Sequence, residues 1–205
     1  AALDGEARRQ GVSLFDGLEV PRSHYSWSQS RPTDWQLDYM QRHGFTALKT
    51  KGFANYGETR RFLDCIAKAA PHLRLRVDFN GCLDRPTFAK FLEFMPVRVY
   101  RQLDLVEDPF PYDAAAWQAC RDQWGVRLAL DKGWRSGTTG FNAVVIKPAR
   151  RDWRTVNAHL PGTPMVLTSA MDHGLGQVYA AYEAALALRE HGPLVDQCGL
   201  ITQHL

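Results

Sequence analysis

Short apolar runs recur along the chain, and between most of them the apolar positions change to helical spacing. The runs at 24–28, 47–51, 73–78, 103–107, 126–131, 143–147, 165–169 and 198–202 read as strands. Residues 34–43 carry Trp35, Leu37 and Met40 on one helical stripe. The stretch 58–70 does the same with Phe62, Ile66 and Ala69, and 86–95 with Phe88, Leu92 and Met95. A helix over 114–124 is bracketed by Asp113 as N-cap and Gly125 as C-cap. Helices over 152–160 and 177–190 complete the alternation. The segment 132–142, KGWRSGTTGFN, is too short and glycine-rich for a good helix and reads either as a loop or as an incomplete connection.

Strands that alternate with helices pair in parallel through right-handed crossovers. Eight such units predict an α/β fold, a closed parallel (β/α) barrel, with a doubly wound open sheet as the alternative. No G-x-G-x-x-G follows the first strand, which argues against a dinucleotide-binding sheet.

The second to sixth strands each end in a charge: Lys51, Asp78, Glu107, Asp131 and Lys147. Polar residues at strand ends often do no more than enter a turn, but five in succession after apolar runs form a pattern. In such barrels functional groups sit at the carboxyl ends of the strands. Strands three, four and five are neighbours, so Asp78, Glu107 and Asp131 converge. Three adjacent carboxylates repel one another unless a cation holds them, and oxygen-only ligands suit a hard ion, Mg²⁺ before Zn²⁺. Strands two and six face each other, so Lys51 and Lys147 flank whatever the metal holds. Lys49 lies two before Lys51 and shares its face. A desolvated lysine beside another cation is easier to deprotonate, which suits Lys51 for the role of base.

Composition narrows the partners. With 205 residues, 45% apolar and 23% charged, the chain is sized for one substantial core. A net charge of +3 gives no reason to invoke nucleic acid, and no apolar run approaches the length of a membrane span. Cys65, Cys82, Cys120 and Cys198 are scattered without a C-x-x-C pair, so reduced thiols and a cytoplasmic location are the expectation. The oligomeric state is left open.

In order along the chain, KTK, DFN, VEDP, LALDKG and VIKP resemble the strand motifs of the enolase superfamily and its muconate-lactonizing subgroup. Sites of that superfamily pair a Lys or His base with Mg²⁺. Within the subgroup the chain is most similar to the o-succinylbenzoate synthases. AVVIKPAR lacks a glycine pair after its lysine, LTSAMDHGLGQ resembles their seventh-strand segment, and Arg76 stands two before Asp78. The resemblance implies a modified TIM barrel that binds Mg²⁺, or Mn²⁺ in its place, through Asp78, Glu107 and Asp131. It implies Lys51 as the base that also protonates the departing hydroxyl, with Lys147 stabilising the enediolate. Asn80 and Arg76 stand beside the ligands, and Ser169 lies near the succinyl end of a small anionic carboxylate. The implied reaction is a dehydration that forms o-succinylbenzoate in menaquinone biosynthesis.

Relatives of this kind carry an N-terminal capping domain. Residues 1–20 resemble only its last helix and the link into a barrel at 21–205, and flanking sequence is expected to be missing at both ends. Rival readings are an N-acylamino acid racemase or dipeptide epimerase with two lysine bases, and a non-catalytic metal-binding barrel. Plainer roles are expected elsewhere. Trp117, Trp124 and Trp153 pack helices, and His173 is a solvated loop residue. Asp108 points away from the barrel interior as a structural group. Arg60, Arg61, Arg150, Arg151 and Arg154 face solvent, with Asp152 as a partner for one of the last three.

Overall fold

The computed structural model describes residues 2–27, 33–171 and 173–201. Eight parallel strands follow one another around a nearly closed barrel: β1 (Ser23–Trp27), β2 (Ala47–Lys51), β3 (Arg74–Asp78), β4 (Leu103–Glu107), β5 (Leu128–Leu130), β6 (Ala143–Ile146), β7 (Met165–Leu167) and β8 (Cys198–Ile201). Hydrogen-bonded order runs β7-β6-β5-β4-β3-β2-β1-β8. The seam between β7 and β8 is thin, joined by the single bridges Thr168–Gly199 and Met165–Val195. Ser28 and Thr202, the expected last residues of the first and eighth strands, lie outside the described residues.

The helices are α1 (Ala2–Arg9), α2 (Asp34–Arg42), α3 (Tyr56–Ala69), α4 (Arg85–Glu93), α5 (Val97–Gln102), α6 (Ala114–Trp124), α7 (Trp153–His159) and α8 (Gly174–His191). Their starts follow local chemistry. Thr33 and Gln36 form a reciprocal capping box on α2. Asp113 accepts from the amide of Ala116, and Gly125 ends α6 at φ 62°, a left-handed turn that glycine takes without penalty. Helix α5 was not legible in the sequence. Its six residues follow Pro96, and three of them, Val97, Val99 and Tyr100, are weak helix formers, so packing rather than propensity settles it.

Successive strand side chains alternate between two cores. Leu48, Leu75, Val77, Val106, Leu128 and Leu130 point outward and join Phe88, Phe91 and Trp117 beneath the helices. Val144, Ile146, Leu167 and Leu200 do the same against Trp153 and α8. Inside the barrel a small apolar layer of Leu105, Ala129, Ala143, Val145 and Val166 separates two charged layers. Among the described residues no helix lies between β5 and β6, in agreement with the loop expected at 132–142. The loop is nonetheless pinned: Tyr112 Oη donates to the Thr139 carbonyl at 2.8 Å, and Trp134 and Phe141 pack against both outer cores.

Helix α1 contributes no buried residue. The segment after it meets the barrel through Phe15, whose ring stands edge-on to Tyr182 of α8 at 6.2 Å. No described helix is long and apolar enough to cross a membrane.

Candidate active site

The register of the parallel ladder decides which charges meet. Lys51 pairs with Asp78, and Asp78 with Glu107, so three neighbouring strands end at one level with their last side chains inward. Backbone bonds carry the ladder one step further: Gly52 N to Asp78 O at 2.8 Å, Phe79 N to Glu107 O at 3.0 Å, and Asp108 N to Ala129 O at 3.0 Å. Gly52 is required there, because a Cβ would stand 2.3 Å from the Phe79 ring.

A cavity of about 250 Å³ opens at this end of the barrel. Lys49, Lys51, Asp78, Asn80, Glu107, Asp131, Lys147 and Ser169 all line it. Eight of the nine site residues expected from sequence therefore come together. The ammonium of Lys49 donates to Glu107 Oε2 at 2.6 Å and stands 3.2 Å from Asp78 Oδ2, which Lys51 also reaches at 2.6 Å. Across the barrel, Lys147 pairs with Asp131. The Asn80 amide N–H donates to Asp78 Oδ1 at 3.0 Å.

The ninth residue, Arg76, lies one layer deeper. Its side chain is 2% exposed and bonds to Asp104 at 2.6 Å, to the Gln197 carbonyl at 2.6 Å and to Asp196 at 3.0 Å. Arg127 joins the same two aspartates and Arg74 joins Asp104, giving the barrel a salt-bridged floor. Arg76 thus supports the site from below rather than standing beside its carboxylates.

Charge and burial shape each group. Burial pushes the Glu107 carboxyl up; Lys49 opposes this, Asp78 and Asp131 reinforce it, and the result is about 7. Burial acts upward on Asp78 too, but Lys49 and Lys51 outweigh it and hold that carboxyl well below the usual range. For Lys49, burial works against the charge, but Glu107 and Asp78 prevail and keep it firmly protonated. This corrects the sequence-based argument for a bare cation beside Lys51: two carboxylates already compensate the charge of Lys49.

Asp108 is structural, as expected, and the reason is visible. Its φ of 41° turns the chain so that its carboxylate accepts the Asp131 amide at 3.1 Å. Burial, with Asp131 and Asp78 nearby, pushes it up to about 6. Trp117 and Trp153 are buried among helices, and Arg154 pairs with Asp152 at 3.3 Å, as expected for one of these arginines, and also with Glu183 at 3.1 Å. His173 is exposed and caps α8.

Sequence reasoning missed several walls of the cavity, among them His24, Ser26, Trp27, Lys132, Arg150 and Met171. His24 and Ser26 alternate inward on β1, a signal that was available. Burial, with Arg76 and Lys49 close by, holds the His24 imidazole well below its usual value, so it is neutral.

The donor set fits a divalent cation in its chemistry. Three carboxylates line one cavity at adjacent strand ends, and two of them raise the third. Each is balanced here by a lysine ammonium, and among the described residues no three acidic, histidine or cysteine side chains already meet at one metal-ligating point. Hard oxygen donors of this kind suit Mg²⁺ or Mn²⁺.

The comparisons with known proteins agree with this geometry. The model of the family described as enolase C-terminal domain-like matches residues 35–149. An o-succinylbenzoate synthase of Bdellovibrio bacteriovorus is 29% identical over a 214-residue alignment that covers 100% of this chain and 64% of that protein. The chain thus spans a little under two thirds of that relative. Among solved structures, a muconate cycloisomerase variant matches 98% of this chain and 61% of its own with a TM-score of 0.73 at 14% identity. A mandelate racemase/muconate lactonizing protein from Herpetosiphon aurantiacus covers 91% and 57% with a TM-score of 0.71 at 19% identity.

Proposed function

Since the chain belongs to the enolase C-terminal domain-like family, we propose that it is the catalytic barrel of a divalent-metal-dependent lyase. In this reading it removes the α-proton of a carboxylate and then eliminates water, as in the formation of o-succinylbenzoate for menaquinone. The observation that carries it is the placement of Lys51 and Lys147 on opposite strands of one barrel, with Asp78, Glu107 and Asp131 on the strands between. Residues 1–20 lead into this barrel from a capping domain, and the substrate is a small soluble anion.

Asp78, Glu107 and Asp131 would hold the metal, Mg²⁺ or Mn²⁺. When bound, the ion supplies Lewis-acid stabilisation for negative charge that develops on the substrate carboxylate. Lys49 stands beside Lys51 on the inward face of β2. Lys51 takes the α-proton, and the C–H electron pair moves into the enediolate. Lys147 faces that charge from the other side with its ammonium. The electron pair returns to form the C=C bond, the hydroxyl leaves on the Lys51 side, and Lys51 gives it the proton, so water departs. Asn80 steadies Asp78, and Ser169 borders the far end of the substrate.

A racemase reading has one observation in its favour. Lys147 is as well placed as Lys51, each ammonium held by a strand-end carboxylate across the same cavity. The test is to supply the hydroxylated cyclic precursor of o-succinylbenzoate and, separately, an N-succinyl amino acid in deuterated water. Formation of the aromatic product supports the lyase. Exchange and inversion of the amino acid without dehydration of the precursor would replace it with the racemase.

A further inference from the structure

One inward side chain on the cavity wall has no part in that reaction. His24 of β1 lines the cavity and is 2% exposed. It sits with Thr168, Ser169 and Gly199 on the side of the barrel where β7, β8 and β1 adjoin. The Ser169 amide donates to the Gly199 carbonyl there at 2.9 Å. Asp78, Glu107 and Asp131 stand at the ends of β3, β4 and β5, on the other side.

The hydrogen bonds of Arg76 fix the state of the imidazole. Asp104, Asp196 and the Gln197 carbonyl hold the guanidinium, and its Nη1 lies 3.5 Å from His24 Nδ1. A guanidinium can only donate, so Nδ1 is the acceptor. Burial, with Arg76 and Lys49 close by, keeps the ring neutral. The single ring proton is therefore on Nε2. Among the described residues Nε2 has no hydrogen-bond partner. A buried donor in that state is costly until an acceptor meets it.

Gly199 leaves the approach to that N–H open. A Cβ at this position would stand 2.7 Å from His24 Nε2 and 2.9 Å from Thr168 Cγ2. Any other residue would fill the space in front of the donor.

We infer that His24 binds the substrate, its Nε2–H donating a hydrogen bond to an uncharged carbonyl oxygen on the side of the cavity that Ser169 borders. This rests on the lyase reading above and adds a residue to it. The charge balance at His24 sets the kind of oxygen. The nearest cations, Arg76 and Lys49, are already held by carboxylates, and the imidazole carries no charge. A carboxylate taken from water to this donor would lack a counter-charge, whereas a carbonyl dipole needs only the N–H. In o-succinylbenzoate the oxygen of this kind is the ketone.

Calorimetric titration of the Mg²⁺-loaded protein with o-succinylbenzoate, and with its analogue in which a methylene replaces the ketone, measures the contact. The parent should bind the ketone more tightly by roughly tenfold, the scale of one buried donor left unpaired. His24→Phe keeps a ring without a donor and should bind the two compounds equally. His24→Gln places an amide N–H near the position of Nε2 and should keep part of the preference. A packing role alone would weaken both compounds together and leave their ratio unchanged. The parent gives a second readout that needs no variant to fold. Its His24 Nε2 proton, followed by NMR, should move downfield with the ketone and not with the methylene analogue. A parent ratio near one, a preference that survives in His24→Phe, or a proton that moves alike with both compounds overturns the assignment and leaves the lyase reading standing. Failure of both compounds to bind the parent removes the lyase reading and the assignment with it.

Discussion

Lys49 Nζ lies 2.6 Å from Glu107 Oε2, a pair that joins β2 to β4 across the strand between them. Both side chains are largely buried, at 17% and 7% exposure. Breaking a buried pair by removing one partner costs more than the pair is worth, because the other charge stays behind. In the metal-free protein, Lys49→Met should therefore cost about 3 kcal/mol of unfolding free energy at pH 8. The cost should be smaller at pH 6. There Glu107, already pushed up to about 7, is mostly protonated and has less charge to lose a partner for. Urea denaturation at the two pH values checks this; an equal cost at both contradicts it.

Metal binding should depend on pH through the same carboxyl. A ligand must be deprotonated, so protons compete with Mg²⁺ for Glu107. Below about pH 7 the apparent Mg²⁺ affinity should fall roughly tenfold per pH unit, and above it the affinity should level off. The sign for stability is opposite. The raised pKa contributes stability that is fully present below the ordinary value of 4.5 and is lost as pH rises through about 7. Titration of Mg²⁺ at pH 6, 7 and 8 and constant ionic strength gives the slope. A flat affinity across that range would remove Glu107 from the ligand set.

The barrel floor should be a stability element. Asp104 takes Arg74, Arg76 and Arg127, and Arg76 is buried. Asp104→Ala leaves Arg76 and Arg127 with Asp196 as their remaining carboxylate and Arg74 with none, and should cost about 3–5 kcal/mol. A loss below about 1 kcal/mol in urea unfolding would show that the network is solvated and energetically idle.

How far the sequence could be read follows from the range of each interaction. Lys51, Asp78, Glu107, Asp131 and Lys147 were legible because each sits where an apolar run stops, and strand order alone turns five local signals into one site. Arg76 was misplaced because its partners Asp104, Asp196 and Gln197 lie 28 to 121 positions away. Asp104 lies where the β3–β4 register shifts, and strand alternation does not foresee that. Arg150 read as part of a solvated face because a turn after β6, rather than a periodicity, brings it to the cavity. The charge of Lys49 was judged from its neighbour in sequence, whereas its neighbours in space decide it.

The central claim is the division of labour between Lys51 and Lys147. Solvent-deuterium incorporation at the substrate α-carbon, followed by NMR for the parent, Lys51→Ala and Lys147→Ala, tests it most directly. Lys51→Ala should abolish incorporation. Lys147→Ala should retain it while slowing dehydration by roughly 10²-fold or more, the scale of a lost electrostatic stabiliser. Incorporation that survives in Lys51→Ala and vanishes in Lys147→Ala would reverse the roles and contradict the account.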